Sequence, residues 1–288
     1  MEPTGEADLA ADPSLVAAIR DAYEVGADGW AAGPTSVYDH LARALVGAAR
    51  SSLADRTVLD LGTGTGVASQ ALLEAGARPI GVDLAVAMLR HRRRERPPAV
   101  AADARALPFA AATFDAVVAA FCLNHLPDPV AGLAECRRVL RTGGVVLAST
   151  FPADASHPAK DIVESTLTAF GYRRPDWYQT FKERLAERTG DPAALAAAAG
   201  DAGFSEVEVV REEVEAGLDR PEVAVDWRLN MPHTLAFVAG LDADERARLR
   251  AEALAGLAGD MPSAVPVLML RARAGVSERL PRHPAGGA

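Results

Sequence analysis

Cysteine, lysine and aromatic residues are scarce in this chain of 288 residues. Its two cysteines, Cys122 and Cys136, form no closely spaced pair, which excludes a disulfide framework and a cysteine-based zinc site. No apolar run has the length needed to span a bilayer. The amino terminus is acidic and lacks the basic and apolar regions of a signal peptide, so a cytoplasmic location is expected.

Basic residues are also fewer than acidic residues. The chain has 30 basic and 39 acidic residues, a net charge of −9, and only Lys160 and Lys182 are lysines. This balance argues against binding nucleic acid or an anionic membrane, whereas it permits a small-molecule substrate. The preference for arginine, together with abundant alanine, indicates a bacterial genome rich in G and C. The sequence leaves monomer and homodimer open.

Short apolar strands alternate with helical segments in the first half of the chain, a pattern typical of a parallel sheet built from βαβ units. Strands are predicted over 57–61, 78–82, 98–101, 114–120, 144–151, 205–213 and 264–271. A helix is predicted after Leu126, with Asp128 as its cap, Pro129 at its first position and Gly143 just past its end. Cys136 lies on the apolar face of that helix and is predicted to be a core residue.

The remaining segments suggest a division of the chain around this sheet. Residues 1–50 are predicted to form an N-terminal helical cap, and 51–151 with 191–275 the core. Segments 152–190 and 219–262 are predicted to be helical insertions that cover the substrate, and 276–288 a disordered tail. The arginine-rich run 90–96 is interpreted as the solvated end of a helix.

The most informative motif is the sequence Asp60-Leu61-Gly62-Thr63-Gly64-Thr65-Gly66, which follows a buried strand. Glycines at such a turn let the backbone approach a ligand closely. The dinucleotide fingerprint requires its third glycine where this chain has Val67, and a P-loop would need a lysine that is absent. An acid at the end of the next strand, Asp83, is positioned to bind ribose hydroxyls. These features indicate a nucleoside cofactor other than NAD.

Six motifs in order resemble the class I S-adenosylmethionine-dependent methyltransferase family, in particular its small-molecule type. The first is the glycine-rich turn with its acid. The others are Gly81-Val82-Asp83-Leu84, Ala102 to Phe109, Phe114-Asp115-Ala116-Val117-Val118, Asn124-His125-Leu126-Pro127-Asp128 and Arg138 to Gly144.

The resemblance implies a fold and a cofactor site. The implied fold is α/β: a Rossmann-like, doubly wound, seven-stranded, mostly parallel sheet with an antiparallel last strand and helical lid insertions. The implied cofactor is S-adenosyl-L-methionine, with no metal. Asp60 and the turn would hold the methionine end, Asp83 the ribose, and Asp103 the adenine amino group. The residues implied to contact the cofactor are Tyr23, Asp60, Gly62, Gly64, Gly66, Asp83, Leu84, Asp103, Ala104 and Phe121.

The acceptor side is predicted from position and residue type. His125 follows the fourth strand at the edge of the sheet where ligands bind, and His157 and His233 lie in the two insertions. These three histidines are the candidate bases. Small organic acceptors occupy apolar, aromatic pockets. The candidate substrate contacts are therefore Trp30, Tyr38, Tyr172, Trp177, Tyr178, Trp227 and Met231.

The resemblance predicts methyl transfer to a small molecule, an intermediate of secondary metabolism. The displacement is in line and depends mainly on positioning; a base is required only for a protonated acceptor. O-methylation is the first expectation, with N- and C-methylation open. Two alternatives remain: a fold relative that uses the bound cofactor for cyclisation or rearrangement, and a cofactor-binding protein without turnover.

Overall fold

A seven-stranded sheet forms the centre of the part of the chain that the computed structural model describes, residues 13–259 and 261–275. The predicted tail and residues 1–12 of the predicted cap lie outside these ranges. The strands are β1 (Thr57–Leu61), β2 (Arg78–Asp83), β3 (Ala99–Ala101), β4 (Phe114–Ala120), β5 (Leu140–Thr150), β6 (Phe204–Glu215) and β7 (Ala264–Ala274).

The strand order is β3-β2-β1-β4-β5-β7-β6. Strands β1 to β5 pair in parallel, while β7 runs antiparallel to both β5 and β6. The order reverses at β1, so the loops after β1 and β4 diverge and leave a crevice at the carboxyl edge of the sheet. The predicted Rossmann-like fold with an antiparallel last strand is confirmed.

Helices surround the sheet, and proline begins many of them. The helices are α1 (Pro13–Ala32), α2 (Pro34–Gly47), α3 (Val67–Glu74), α4 (Val86–Arg90), α5 (Pro129–Val139), α6 (Pro158–Ala169), α7 (Asp176–Thr180), α8 (Ala186–Gly190), α9 (Pro192–Asp201), α10 (Pro221–Leu229), α11 (Pro232–Gly240) and α12 (Ala243–Gly256). A π-helical stretch, Phe181–Leu185, joins α7 to α8, and a 3₁₀ turn, Leu123–His125, follows β4.

Side-chain caps fix where several helices begin. Asp128 accepts a hydrogen bond from the Ala131 amide and thereby starts α5, as predicted, and Asp191 does the same for α9. A proline at the first helical position follows each of these caps, because its fixed φ suits the helix and its missing N–H would have no partner there.

Alternate residues of the central strands pack into two cores, one on each face of the sheet. Val118 of β4 joins Leu41 of α2 in one core, and its neighbour Val117 joins Leu133 of α5 in the other. Burial on both faces explains the nearly continuous apolar composition of these strands. Cys136 is fully buried in the second core, which confirms its predicted position.

One predicted boundary is wrong. Helix α5 ends at Val139, and Gly143 lies four residues further on inside β5 with a φ of 77°. It belongs to an irregularity in the pairing of β4 with β5, where Phe114 faces Leu140 but Ala116 faces Val145. Helices α6 to α8 lie within 152–190 and α10 to α12 within 219–262; the division into core and insertions stays a prediction. Among the described helices, none has the length and apolarity to cross a membrane.

Candidate active site

Two neighbouring cavities lie at the carboxyl edge of the sheet. The first cavity is bordered by the loops that follow β1, β2 and β4. The second cavity lies beneath α6, the segment 176–190 and helices α10 and α11. Tyr23, Tyr38 and His125 line both cavities and form the wall between them.

The glycine-rich turn after β1 supplies one side of the first cavity. Gly62, Gly64 and Gly66 have φ values of 69°, 53° and 99°, a left-handed conformation that residues with a Cβ rarely adopt. A Cβ on Gly62 would approach the Sγ of Cys122 to 2.6 Å. The turn therefore requires glycine at this position both for its backbone and for its packing. Gly64 lines the cavity, whereas Gly66 begins α3 behind it.

Asp60 lies fully buried beneath the turn rather than in the wall of the cavity. Its Oδ2 accepts hydrogen bonds from Thr63 Oγ1 and Ser69 Oγ, both at 2.6 Å. Its Oδ1 has no partner among the described residues. Burial raises the pKa of this carboxyl, and the two hydroxyl donors act in the opposite direction.

Arg96 braces the same turn from outside the cavity. Its guanidinium donates to the Gly64 carbonyl at 2.8 Å, the Met88 carbonyl at 3.2 Å and Thr63 Oγ1 at 2.9 Å. The interpretation of run 90–96 as a solvated helix end is thus wrong for Arg96: α4 ends at Arg90, and the chain returns Arg96 to the turn half-buried.

Asp83, the last residue of β2, connects the turn to the next loop. Its Oδ2 accepts from the Gly64 amide at 2.8 Å and its Oδ1 from the Ala85 amide at 2.9 Å. Burial raises the pKa of this carboxyl, while the two amides lower it. Each oxygen keeps a lone pair beyond these bonds, and the residue lines the first cavity.

Asp103 lines the same cavity but has a close cationic partner. Arg105 binds its carboxylate through Nη2 at 2.8 Å and Nε at 3.1 Å. This side-chain pairing is the main reason why the pKa of Asp103 is lowered. Leu84 and Ala104 also line the cavity, beside Asp83 and Asp103 respectively.

Phe121 has an unusual backbone at the end of β4. Its φ of 54° is left-handed, which is strained for a bulky residue and is frequent at functional sites. The conformation turns its ring against Tyr38 and Phe151, with centroid separations of 5.1 Å and 4.5 Å. Phe121 therefore belongs to an aromatic wall on the side of the first cavity that faces the second.

His125 and Tyr23 form a hydrogen-bonded pair in the wall between the cavities. Tyr23 Oη lies 3.2 Å from His125 Nε2, and the imidazole stacks on Phe181 with centroids 4.9 Å apart. His125 Nδ1 has no partner among the described residues. Burial lowers the pKa of His125 to about 4 and raises that of Tyr23 well above its ordinary value. Both groups are consequently neutral near pH 7.

The second cavity contains most of the predicted substrate contacts and all of the lysines. Tyr178 stacks on His233 with centroids 3.7 Å apart, and the Oδ1 of buried Asn124 has no partner among the described residues. The predicted residues that line this cavity are Tyr38, Trp177, Tyr178, Trp227, Met231, His125 and His233. Its lining also includes Lys160, Lys182 and Arg228.

His157 is not among the described residues that line the two cavities. Its Nδ1 accepts from the Ala159 amide at 3.1 Å, which caps α6, and its Nε2 donates to the Pro262 carbonyl at 2.9 Å. Both nitrogens are thus occupied. The predicted catalytic role of His157 has no support in this geometry.

Three other predicted residues take positions that the sequence did not specify. His233 Nε2 accepts from Arg228 Nη2 at 3.4 Å, and burial, assisted by Arg228, lowers the histidine pKa well below its ordinary value. Tyr172 donates to the His233 carbonyl at 3.1 Å and lines neither of the two cavities. Trp30 lines the first cavity, next to Tyr23.

The chemistry of the first cavity fits S-adenosylmethionine. This nucleoside offers ribose hydroxyls, an adenine amino group and an ammonium as donors, and the cavity presents the carboxylates of Asp83 and Asp103 as acceptors. The orphaned Oδ1 of Asp60 supplies a further acceptor beneath the turn. Arg96 is engaged with the turn itself, so it is not arranged to bind a diphosphate. Within the described ranges, no cluster of three or more histidine, cysteine or acidic side chains is suited to a metal ion.

Comparison with known proteins agrees with this site. A family model described as a methyltransferase domain matches residues 59–148. The demethylmenaquinone methyltransferase of Renibacterium salmoninarum is 36% identical over 152 residues, which are 51% of this chain and 61% of that protein. The protein of the same name from Mycobacterium sp. (strain KMS) is 36% identical over 157 residues, 52% of this chain and 68% of its own length.

The fold has a counterpart among solved structures. Phosphoethanolamine N-methyltransferase 2 of Haemonchus contortus, in complex with S-adenosyl-L-methionine, matches with a TM-score of 0.52 at 20% identity. The match covers 82% of this chain and 52% of that one. This chain therefore spans about half of the solved protein and less than two thirds of the Renibacterium relative.

Proposed function

The chain belongs to the class I S-adenosylmethionine-dependent methyltransferase family, and we propose that it methylates a small-molecule acceptor, an intermediate of a natural product. S-adenosylmethionine is the cofactor of this family. O-methylation is the favoured reaction, and N- and C-methylation are the other acceptor chemistries. The first cavity is the proposed cofactor site, with Asp83 at the ribose, Asp103 at the adenine and the glycine-rich turn at the methionine end.

The wall shared by the two cavities is the observation that carries the proposal. Tyr23, Tyr38 and His125 border both spaces, so a cofactor in one and an acceptor in the other would meet at these side chains. Holding two reactants in such a geometry can supply much of the rate acceleration of a displacement. An arrangement with a single cavity would not separate cofactor from acceptor in this way.

The proposed chemistry uses neutral groups at that wall. When bound, S-adenosylmethionine supplies an electrophilic methyl group on a sulfonium. His125 is neutral near pH 7 because burial lowers its pKa to about 4, so its imidazole can accept a hydrogen bond from an acceptor hydroxyl and take up the proton as the oxygen is methylated and becomes acidic. Tyr23, hydrogen-bonded to His125, orients the ring, and the aromatic faces of Tyr23 and Tyr38 favour a nearby sulfonium.

A small molecule is favoured over a macromolecular acceptor for two reasons. The net charge of −9 disfavours nucleic acid, and the second cavity is enclosed by aromatic side chains of the segments around it. Demethylmenaquinone, which the names of two relatives contain, is one candidate acceptor. Those relatives match only about half of this chain, so membership of the family does not by itself assign their acceptor to this chain.

Calorimetric titration tests the cofactor site. Purified protein is titrated with S-adenosylmethionine, S-adenosylhomocysteine and NAD, and we expect both sulfur nucleosides to bind and NAD not to bind. Asp83→Asn should weaken binding about 10-fold or more, because it replaces a charged acceptor of hydrogen bonds with a neutral amide. The control is Asp154→Asn, which removes an exposed acid paired with Arg211. Failure of both sulfur nucleosides to bind would refute the proposal.

Turnover separates methyl transfer from the alternatives. Protein and S-adenosylmethionine are incubated with phenols, amines and activated carbon acids, and released S-adenosylhomocysteine is quantified. Its release in step with a methylated product supports the proposed reaction and identifies the acceptor atom. Tight cofactor binding with conversion of an acceptor but no released S-adenosylhomocysteine would instead favour cyclisation or rearrangement.

A further inference from the structure

The two lysines of the chain, Lys160 and Lys182, both line the second cavity. They belong to different elements, α6 and the π-helical stretch, and Arg228 of α10 is a third cation in the same lining. In a protein with a net charge of −9, three cations from three separate elements face one enclosed space.

The acids that would neutralise these cations are missing from the lining. The described residues that line the second cavity include no aspartate or glutamate. In the described part of the chain, the ion pairs within 4 Å involve other residues and leave Lys160, Lys182 and Arg228 without a carboxylate. The nearby Glu164 is bound to Arg174.

Arg228 is the most deeply buried of the three, with 5% of its surface exposed. Its guanidinium donates to His233 Nε2 at 3.4 Å and lies 5.2 Å from the centre of the Trp227 ring. These neutral partners orient the guanidinium without balancing its charge. Because burying an uncompensated charge is costly, a buried cation without an acid indicates that a ligand completes the site.

The lysines experience the same excess of positive charge. Burial, with repulsion from Arg228 and Lys182, lowers the pKa of Lys160 to about 8. Burial lowers the pKa of Lys182 as well, assisted by Arg174 and Arg228. Lys160 Nζ donates to the Ala155 carbonyl at 3.0 Å, which uses one of its three protons. Donors therefore remain available on both the ammonium and the guanidinium.

We infer that the second cavity binds an acceptor with a planar aromatic body and one anionic group, a carboxylate or a phosphate, which Lys160, Lys182 and Arg228 hold. This inference rests on the proposed function and specifies the substrate class of its acceptor site. The three cations line only the second cavity, whereas Tyr23 and His125 line both. The anionic group thus lies away from the reacting end of the acceptor, and the flat body lies against the aromatic side chains that line this cavity.

Matched aromatic probes test the inference directly. Protein saturated with S-adenosylhomocysteine is titrated by calorimetry with benzoate, phenyl phosphate and uncharged benzamide, up to about 10 mM; each titration is repeated without the nucleoside. We expect the anion of higher affinity to bind about 10-fold more tightly than benzamide, because hydrogen bonds to a charged group are stronger than those to a neutral amide. A higher affinity for benzoate than for phenyl phosphate indicates that the anionic group of the acceptor is a carboxylate, and the reverse order of affinities indicates a phosphate.

Variants locate the binding. Lys160→Met and Lys182→Met should each weaken binding of the preferred anion about 5- to 10-fold and leave benzamide and S-adenosylhomocysteine unchanged. The matched control is Arg184→Met, which removes an exposed cation of the same π-helical stretch and should have no effect. The inference would be overturned if neither anion bound more tightly than benzamide. It would also be overturned if both lysine variants bound the preferred anion as tightly as the wild type does. If the wild-type protein did not bind S-adenosylhomocysteine, that result would contradict the proposed function instead.

Discussion

At the scale of single residues, Gly62 combines two constraints that can be separated by experiment. Its φ is 69°, and an added Cβ would approach Cys122 Sγ to 2.6 Å. Gly143 has a similar φ of 77°, yet an added Cβ would have no heavy atom within 4 Å. The two glycines therefore form a matched pair in which only one site adds a steric clash to the backbone strain.

Gly62→Ala should lower the free energy of unfolding by roughly 3 kcal/mol, because left-handed backbone costs about 1–2 kcal/mol and overpacking about 1–3 kcal/mol. Gly143→Ala should lower the free energy of unfolding only by the cost of the left-handed backbone, about 1–2 kcal/mol. Urea denaturation measures both, and titration with S-adenosylhomocysteine should detect weaker binding for Gly62→Ala alone. Equal losses of stability in the two variants would mean that Cys122 moves aside without cost.

Arg96 acts on the cofactor through the turn rather than by contact. Arg96→Met removes the donors to the Gly64 carbonyl and Thr63 Oγ1. We expect about 10-fold weaker binding of S-adenosylhomocysteine, because charge-assisted hydrogen bonds that hold the turn are lost. Arg94→Met, which removes an exposed arginine two residues earlier, is the control. Wild-type affinity in the Arg96 variant would show that the turn keeps its shape without this brace.

At the scale of elements, His157 and α6 allow a capping role to be distinguished from catalysis. His157→Ala should lower the free energy of unfolding by about 1–2 kcal/mol, the usual cost of a lost N-cap. His157→Asn should lose less, since asparagine is also a good cap. The rate per folded molecule should stay at the wild-type level in both, measured by release of S-adenosylhomocysteine with an identified acceptor. A rate that falls in both variants would restore the predicted catalytic role.

The elements that local sequence specifies could be predicted, whereas sites assembled across the chain could not. The strands β1 and β4, the glycine-rich turn and the cap of α5 each carry their signal within a few residues. The brace from Arg96 and the contact of Cys122 with Gly62 depend on residues that are distant in sequence. The cations of the second cavity come from three elements, and no spacing in the sequence indicates that they meet.

At the scale of the whole molecule, buried titratable groups couple stability to pH. Burial lowers the pKa of His125, His157 and His233, so the folded state binds fewer protons than the unfolded state as the pH falls below about 6.5. The stability from these histidines is present above that pH and is lost on acidification. Burial raises the pKa of Asp60 and Asp83, which acts in the opposite sense, because there the folded state retains protons more readily.

His125→Gln isolates one of these contributions, because the other groups are common to both proteins and cancel in the difference. With a folded pKa of about 4, His125 should make the wild type lose about 2 kcal/mol more than the variant between pH 7 and pH 5. Urea denaturation at the two pH values measures this difference. Between pH 7 and pH 8 the two proteins should change almost in parallel, since the imidazole is neutral in the folded state and mostly neutral in the unfolded state. Parallel losses down to pH 5 would mean that His125 is more accessible to water than its stacking on Phe181 and its bond to Tyr23 imply.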